Sequence, residues 1–411
     1  MKYILTGLSL LCSQIALAAS VDVMVSPSTI PYGSTSTVTY TITNNTGVAF
    51  TNTYLNLPIN FTTVGLGKSF LTPYSLTNAT TCAVNATKKG TFPNGASCNI
   101  VMKINPSNLG TLQFSKIVAI SDQLGSATLP LTSSTTLKVT PSKIYYFGDS
   151  YVDIGCETTG GNVDYDKWPV YLNADLGLPV TQPDRLGGTD YACGGAETIH
   201  YQYASGVGIY IGLLDQMDKL TTNVKGKADP KALYIMLIGG NDLAHGSGTY
   251  EQRTAPPIAN IKLAILQLQL LGAKNIIVIN QMNQFAFVPT STNSILWGAL
   301  TRYFNNALLT MNNTLASPVS IYNLADAFAY MVLFPATYGY ANVYDGCDSY
   351  PATCSQVNQD VGSVLPFLNA APGNIPPQTP IAWFFANVHP TAAGYAFIEV
   401  ELRNYIYPPT Y

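Results

Sequence analysis

Ile144-Tyr145-Tyr146-Phe147-Gly148-Asp149-Ser150-Tyr151-Val152-Asp153 joins an apolar run, rich in β-branched and aromatic residues, to a Gly-Asp-Ser turn. A short apolar run that ends in turn residues reads as a buried strand. The turn then carries a serine hydroxyl to the lip of the sheet. Taken alone, such a turn is most often only a turn. Three blocks downstream add to it. Gly187-Gly188-Thr189-Asp190-Tyr191-Ala192-Cys193-Gly194-Gly195-Ala196 is rich in glycine. Gly239-Gly240-Asn241-Asp242 follows the apolar run Leu233-Tyr234-Ile235-Met236-Leu237-Ile238. Val388-His389-Pro390-Thr391 reads as a loop entering a helix of roughly residues 391–405.

In this order, the four blocks resemble the GDSL, or SGNH, family of serine esterases and lipases. The likeness runs from residue ~144 to ~400 and is closest in character to secreted bacterial phospholipases, lysophospholipases and lipid acyltransferases. Tyr151 stands where the family often has Leu, and Asp190 where Asn is usual. The resemblance implies an α/β fold: a parallel-sheet, flavodoxin-like three-layer SGNH-hydrolase domain. It also implies Ser150 as nucleophile and His389 as general base. The Gly195 backbone N–H and the Asn241 side chain would join the Ser150 N–H in an oxyanion hole. It implies no cofactor and no metal. One part of the pattern is missing: the family has Asp three residues before this histidine, and here that position is Ala386. The sequence thus fits a relative with a substitute acceptor, a decayed enzyme, or a chain inactivated by an Asp→Ala change.

These residue types suit acyl transfer. A serine hydroxyl is a weak nucleophile until a neighbouring base takes its proton. The carbonyl oxygen then gains negative charge, which fixed N–H donors stabilise. Glycine lets the backbone approach the substrate, and an Asn amide supplies N–H groups without net charge. The chain has three histidines: His200, His245 and His389. The first two lie just after two of the blocks and remain candidates for the base, but His389 alone is followed by a Pro-Thr helix start. The Gly-x-Ser-x-Gly elbow of α/β-hydrolases is absent, because Val152 fills its second glycine position.

Composition points to an exported protein. Residues 1–18 have a basic start at Lys2, an apolar core from Tyr3 to Leu17 and a small-residue Ala16-Leu17-Ala18 end. This reads as a signal peptide cleaved after Ala18, and hence a secreted or periplasmic protein. Removing Cys12 leaves six cysteines, an even number in an oxidising setting. Of the 15 connectivities, proximity suggests Cys82–Cys98, Cys156–Cys193 and Cys347–Cys354. No later apolar run reaches the roughly 20 residues of a membrane span, while contact with a membrane surface stays open. Charged residues are only 10 % and the net charge is −3, which gives no reason to expect a nucleic-acid partner. Apolar residues make up 47 %, which excludes a disordered chain. No Cys-x-x-Cys or His-Glu-x-x-His motif argues for a metal.

The pattern changes near residue 140. Residues 19–140 hold short alternating runs, among them Val38-Thr39-Tyr40-Thr41-Ile42 and Cys98-Asn99-Ile100-Val101-Met102-Lys103-Ile104. Turn clusters separate them, which predicts a small all-β sandwich domain. Gly67-Lys68-Ser69 lacks the earlier glycine of a phosphate loop and reads as a turn. With no histidine, this segment suits a binding, stabilising or secretion-related role. Thr140-Pro141-Ser142 reads as a hinge into the hydrolase segment, residues 141–411. There strands alternate with helices, implying a parallel sheet covered on both faces. Ile258, Ile261, Ile265, Leu268 and Leu271 form one helical stripe that stops at Gly272, with the strand Ile276–Ile279 next, and Phe304, Leu308 and Met311 mark another helix.

The expected substrate is a lipid ester. Phe285, Phe287, Phe328, Phe334, Trp383, Phe384 and Phe385 lie near the blocks and supply candidates for an acyl groove, though most of them read as core. The aperiodic stretch from roughly Tyr338 to Pro380 reads as a lid or a long loop. A carbohydrate O-acyl esterase and a non-catalytic surface protein are the alternatives.

Overall fold

The computed structural model describes residues 20–57, 61–113, 118–121, 125–128, 136–156, 163–200, 202–205, 208–282, 294–338, 340–342, 381–382, 384–386, 389–390 and 392–409. The expected signal peptide, the Cys347–Cys354 pair, Phe285, Phe287, Trp383 and most of the expected lid lie outside these residues. Nothing is described of the Phe384 and Phe385 side chains either.

Before residue 141 every regular element among the described residues is a strand. In order these are β1 (Ser20–Ser26), β2 (Thr29–Pro31), β3 (Ser36–Asn45), β4 (Phe50–Asn56), β5 (Phe61–Gly65), β6 (Lys68–Thr72) and β7 (Tyr74–Leu76). There follow β8 (Gly90–Phe92), β9 (Ser97–Ile104), β10 (Gly110–Gln113), β11 (Val118–Ser121), β12 (Gly125–Thr128) and β13 (Leu137–Thr140). They form three sheets, ordered β1-β3-β9-β7, β2-β13-β10-β5-β6 and β12-β11-β4-β8. Pairing is antiparallel except between β2 and β13. Period-2 patterning explains the module. Val38, Tyr40 and Ile42 of β3 are buried with Ile100, Met102 and Ile104 of β9, while the intervening threonines face outward. The expected Cys82–Cys98 disulfide is present.

The second half is built on four parallel strands: β14 (Ile144–Gly148), β17 (Leu233–Leu237), β18 (Asn275–Ile279) and β19 (Ser320–Tyr322). Between β14 and β17 lies the hairpin β15 (Gln202–Ser205) and β16 (Gly208–Ile211). Every residue of β14, β17 and β18 is buried, so these strands read as near-continuous apolar runs, with Asn275 at the start of β18 the polar exception. Alternate side chains serve two cores. Ile144, Tyr146, Leu233 and Ile235 pack with helices α1 (Trp168–Asp175), α6 (Leu324–Leu333) and α7 (Ala392–Ile406). Tyr145, Phe147, Tyr234 and Met236 pack with α2 (Leu213–Asn223), α4 (Tyr250–Leu271) and α5 (Ser294–Asn313). The sheet is therefore the middle of three layers. The stripe residues Ile258, Ile261, Ile265 and Leu268 of α4 are buried, and Gly272 ends that helix at φ +105°.

The glycine-rich block adds an edge to this sheet. The Tyr146 N–H donates to Thr189 O at 3.0 Å, Tyr191 N–H to Tyr146 O at 2.9 Å, and Cys193 N–H to Gly148 O at 3.0 Å. With this edge beside β14, the order becomes 2-1-3-4-5. The switch point of such a sheet lies between the C-terminal ends of β14 and β17, where ligands bind in open α/β folds.

The link between the two halves is bonded along its length. Ser142 N–H donates to Lys231 O, and its hydroxyl donates to Asp229 at 2.6 Å. Thr140-Pro141-Ser142 is thus a fixed connection, a correction to the hinge expected from its turn-forming composition. Leu66 and Leu109 of the β-module belong to the same buried cluster as α7.

Candidate active site

The C-terminal end of β14 is held open by a glycine. A Cβ on Gly148 would lie 2.2 Å from Leu237 O of the neighbouring strand, so no side chain fits. The buried Gln216 amide clamps this residue, accepting from Gly148 N–H at 3.0 Å and donating to Gly148 O at 2.9 Å. The chain then turns. Asp149 accepts from Tyr151 N–H at 3.0 Å through its side chain and from Val152 and Asp153 N–H through its carbonyl. Burial pushes the Asp149 carboxyl up to about 7. The carbonyls on the far side of the turn are also taken. Lys167 Nζ donates to Ser150 O at 2.8 Å, and Trp168 Nε1 donates to Tyr151 O at 2.9 Å. The Ser150 side chain, half-buried, stands on a turn whose carbonyls at Asp149, Ser150 and Tyr151 are all bonded.

His389 lies opposite. Its Nε2 is 2.7 Å from Ser150 Oγ, within the reach proton transfer requires. Two elements place the ring: a short antiparallel pair, β20 (Phe384–Ala386) with β21 (His389–Pro390), and α7, which starts three residues later. The ring lies 5.7 Å from that of Tyr151. Burial, and then the charge of Lys167, hold the imidazole below its ordinary pKa, so it stays neutral and able to accept a proton. Among the described residues no carboxylate is paired with it. Ala386, where the family pattern has Asp, is directly opposite His389 in the β20–β21 register. The other two histidines are elsewhere: His200 faces Asp215 at 3.2 Å and His245 faces Glu197 at 2.7 Å, both exposed.

Three loops converge on this pair. Asp153 ties the serine block to the glycine block, accepting from Gly155 and Cys156 N–H at 2.7 Å each and from Gly194 N–H at 2.7 Å. The Cys156–Cys193 disulfide makes the same link covalent, as expected. Gly195 follows at φ +71°, exposed and with no atom near its absent Cβ. Asn241, at the start of α3 (Gly240–His245), donates one Nδ2 N–H to Ala196 O at 2.9 Å. Such an amide has a second N–H, which donates to no acceptor among the described residues. Asp242 accepts from Thr198 N–H and hydroxyl, fastening the Gly-Gly-Asn-Asp block to the same loop. Among the described residues, neither Ser150 nor Gly195 N–H donates to a protein acceptor. The structure therefore puts Ser150, Gly195, Asn241 and His389 on elements that meet at the switch point.

Two further residues shape the site. Asp190, where the family pattern has a neutral Asn, is fully buried and accepts from Ile154 and Ala192 N–H. Burial, with the charge of Asp153, pushes its carboxyl well above the ordinary range, against the two N–H groups that favour the charged form. Lys167 was not singled out in the sequence. Its position just before a Trp-Pro helix start reads only as a cap, yet its ammonium lies 5.4 Å over the Tyr395 ring and is mostly buried beside Ser150. No cluster of metal-ligating side chains occurs among the described residues, and no described helix is long and apolar enough to cross a membrane.

Solved structures that the chain matches include a putative GDSL-like lipase from Parabacteroides merdae, 13% identical, covering 65% of this chain and 96% of its own, with a TM-score of 0.37. A catalytic mutant of an acetylxylan esterase from Geobacillus stearothermophilus is 13% identical over 65% of this chain and 95% of its own, with a TM-score of 0.35. A lipase/acylhydrolase from Enterococcus faecalis is 14% identical over 64% of this chain and 95% of its own, with a TM-score of 0.32. No curated protein sequence matches the chain. The GDSL-like lipase/acylhydrolase family model, in contrast, matches residues 144–399, more than half of the 411. That span takes in all four blocks and both residues of the 2.7 Å contact, and the chain belongs to this family of carboxylic ester hydrolases.

Proposed function

We propose that the protein cleaves lipid esters through a Ser150–His389 pair without the usual third carboxylate. The 2.7 Å contact between Ser150 Oγ and His389 Nε2 carries this reading. In it, His389 Nε2 takes the hydroxyl proton as Ser150 Oγ attacks the ester carbonyl. The oxyanion receives N–H groups from Ser150, Gly195 and Asn241, and His389 returns the proton to the leaving alcohol. Water, activated by the same ring, then releases the acyl group from Ser150. A second acceptor alcohol in place of water would make the reaction acyl transfer. Lys167 beside Ser150 favours an anionic ester, and a lysophospholipid joins that charge to an acyl chain. The test is a panel of lysophospholipid, short p-nitrophenyl esters and acetylated xylan. Faster turnover of the acetylated sugar than of the lipid would assign the alternative, a carbohydrate O-acyl esterase. No turnover of any of them, with Ser150 unreactive to a fluorophosphonate probe, would assign a decayed enzyme. Export through residues 1–18 belongs to the same reading. The two disulfides fit an oxidising compartment.

Ala386 sets the expected rate. A carboxylate on the histidine fixes its tautomer and stabilises the imidazolium, and exchanging it for an amide in a serine protease lowers kcat by about 10⁴. Position 386 pairs with His389 in the strand register, and it is where the family pattern carries its carboxylate. Ala386→Asp is expected to raise kcat by at least about tenfold. Unchanged turnover in the folded variant would show that another group already serves His389.

The pH profile follows from the same charges. Burial and Lys167 both lower the His389 pKa, and the base works only when neutral. Activity should therefore persist below the ordinary histidine range, with the acid limb of kcat/KM under about pH 6.5. Lys167→Met removes one downward push, and the limb moves to higher pH. Ala386→Asp moves it the same way by favouring the imidazolium. A limb that stays in place in both variants would show that His389 is not the titrating base.

A further inference from the structure

We propose that the β-module hairpin tip Gly65-Leu66-Gly67 is a positioning element for His389, acting through the far end of α7. The inference rests on the Ser150–His389 reading above.

The tip is built to hold a helix end. Leu66 has φ +54°, a left-handed conformation that is unfavourable for a leucine and persists where surrounding structure imposes it. Leu66 is buried in the same core cluster as Ile406, Tyr407 and Leu402 of the hydrolase half. The last four carbonyls of a helix have no partner within the helix. Leu66 N–H donates to one of them, Tyr405 O, at 3.1 Å. The β-module thereby caps α7 from outside. Gly65 lies so close that a Cβ there would be 2.6 Å from Ile406 O. Ser320 donates its hydroxyl to Leu66 O at 3.3 Å, fastening the tip to β19 as well. Beside it, Tyr407 OH donates to Val139 O at 3.2 Å.

The other end of α7 is the catalytic end. His389 precedes the helix by three residues, and Tyr395 in its first turns packs under Lys167. The helix has 15 residues, a rod of about 22 Å at 1.5 Å per residue. Such a rod transmits axial displacement. Loosening the cap lets α7 shift, and the 2.7 Å contact at its start lengthens. A misplacement of about 1 Å in a reacting group is enough to cost up to ~10²-fold in rate.

The test compares Leu66→Asn, Leu66→Met and Tyr407→Phe in the full chain, with a short soluble ester and a fluorophosphonate probe. Asn tolerates the left-handed conformation and keeps the N–H, but removes the apolar plug. Leu66→Asn is expected to lower kcat and the labelling rate together by at least about tenfold with KM unchanged. Leu66→Met restores the volume and should stay within about twofold of the parent. Tyr407→Phe keeps its ring and should lower kcat by about twofold or more, and it carries the test where Leu66→Asn does not fold. Folded variants with parental kcat and labelling rate, and only a lower Tm, would overturn the proposal, as would a change confined to KM. A parent chain that the probe does not label would sink the Ser–His reading and this one with it. A labelled parent with unaltered variants sinks this one alone.

Discussion

In Ser150→Ala, turnover of a short soluble ester falls by about 10⁴-fold or more, while the melting temperature stays within a few degrees. The first half follows from how catalytic groups act as a unit: removing the nucleophile leaves only what binding and the N–H donors supply. The second follows from the turn itself. Every backbone bond that holds it, from Asp149, Lys167, Trp168 and Gln216, is independent of the Ser150 hydroxyl. A side chain at the rim of a fixed turn carries little packing. A fluorophosphonate probe should label the parent and leave the variant untouched. Labelling that persists in Ser150→Ala would place the nucleophile elsewhere.

Asn241→Ala should lower kcat by about 10²–10³ with KM little changed, because its donor strengthens its bond only as charge develops on the carbonyl oxygen. The structure adds a control. The same amide also holds Ala196 O at 2.9 Å, next to Gly195, so removing it slackens the loop bearing a second donor. Asn241→Asp keeps the size and discards the N–H groups. If donation is the role, Asn241→Asp should be at least as slow as Asn241→Ala. A parental kcat in either variant, or an effect confined to KM, would make Asn241 a binding or structural residue.

What could be read in the sequence was what is local. Ile144–Phe147, Leu233–Leu237 and Ile276–Ile279 are apolar without a break because both faces of a parallel strand are buried, and no contact need be known to see it. The stripe on α4 and its glycine stop are equally self-contained. β19 escaped notice because its three residues, Ser320–Tyr322, carry too little pattern. Lys167 escaped because nothing in Asp166-Lys167-Trp168 records that its ammonium turns back to Ser150 O, 17 residues earlier. Gly67-Lys68-Ser69 was read as a turn, but the turn is Leu66-Gly67, and Lys68 and Ser69 already pair as the start of β6. That the turn plugs another module depends on Ser320, 254 residues away, and no local pattern encodes that. The pairing of Ser150 with His389 spans 239 residues and was legible only through four blocks in a familiar order.

That span has a consequence in time. A ribosome delivers the chain from the N-terminus at roughly 5–20 residues per second, so the 239 residues between the two groups take some tens of seconds. During that interval the serine turn, the glycine block and the Asn241 loop can emerge and fold without a base beside them. On the proposed Ser150–His389 reading, the nascent chain then carries an inert hydroxyl until His389 and α7 arrive and dock. A hydrolase of esters is thereby kept from acting on its surroundings while still being made.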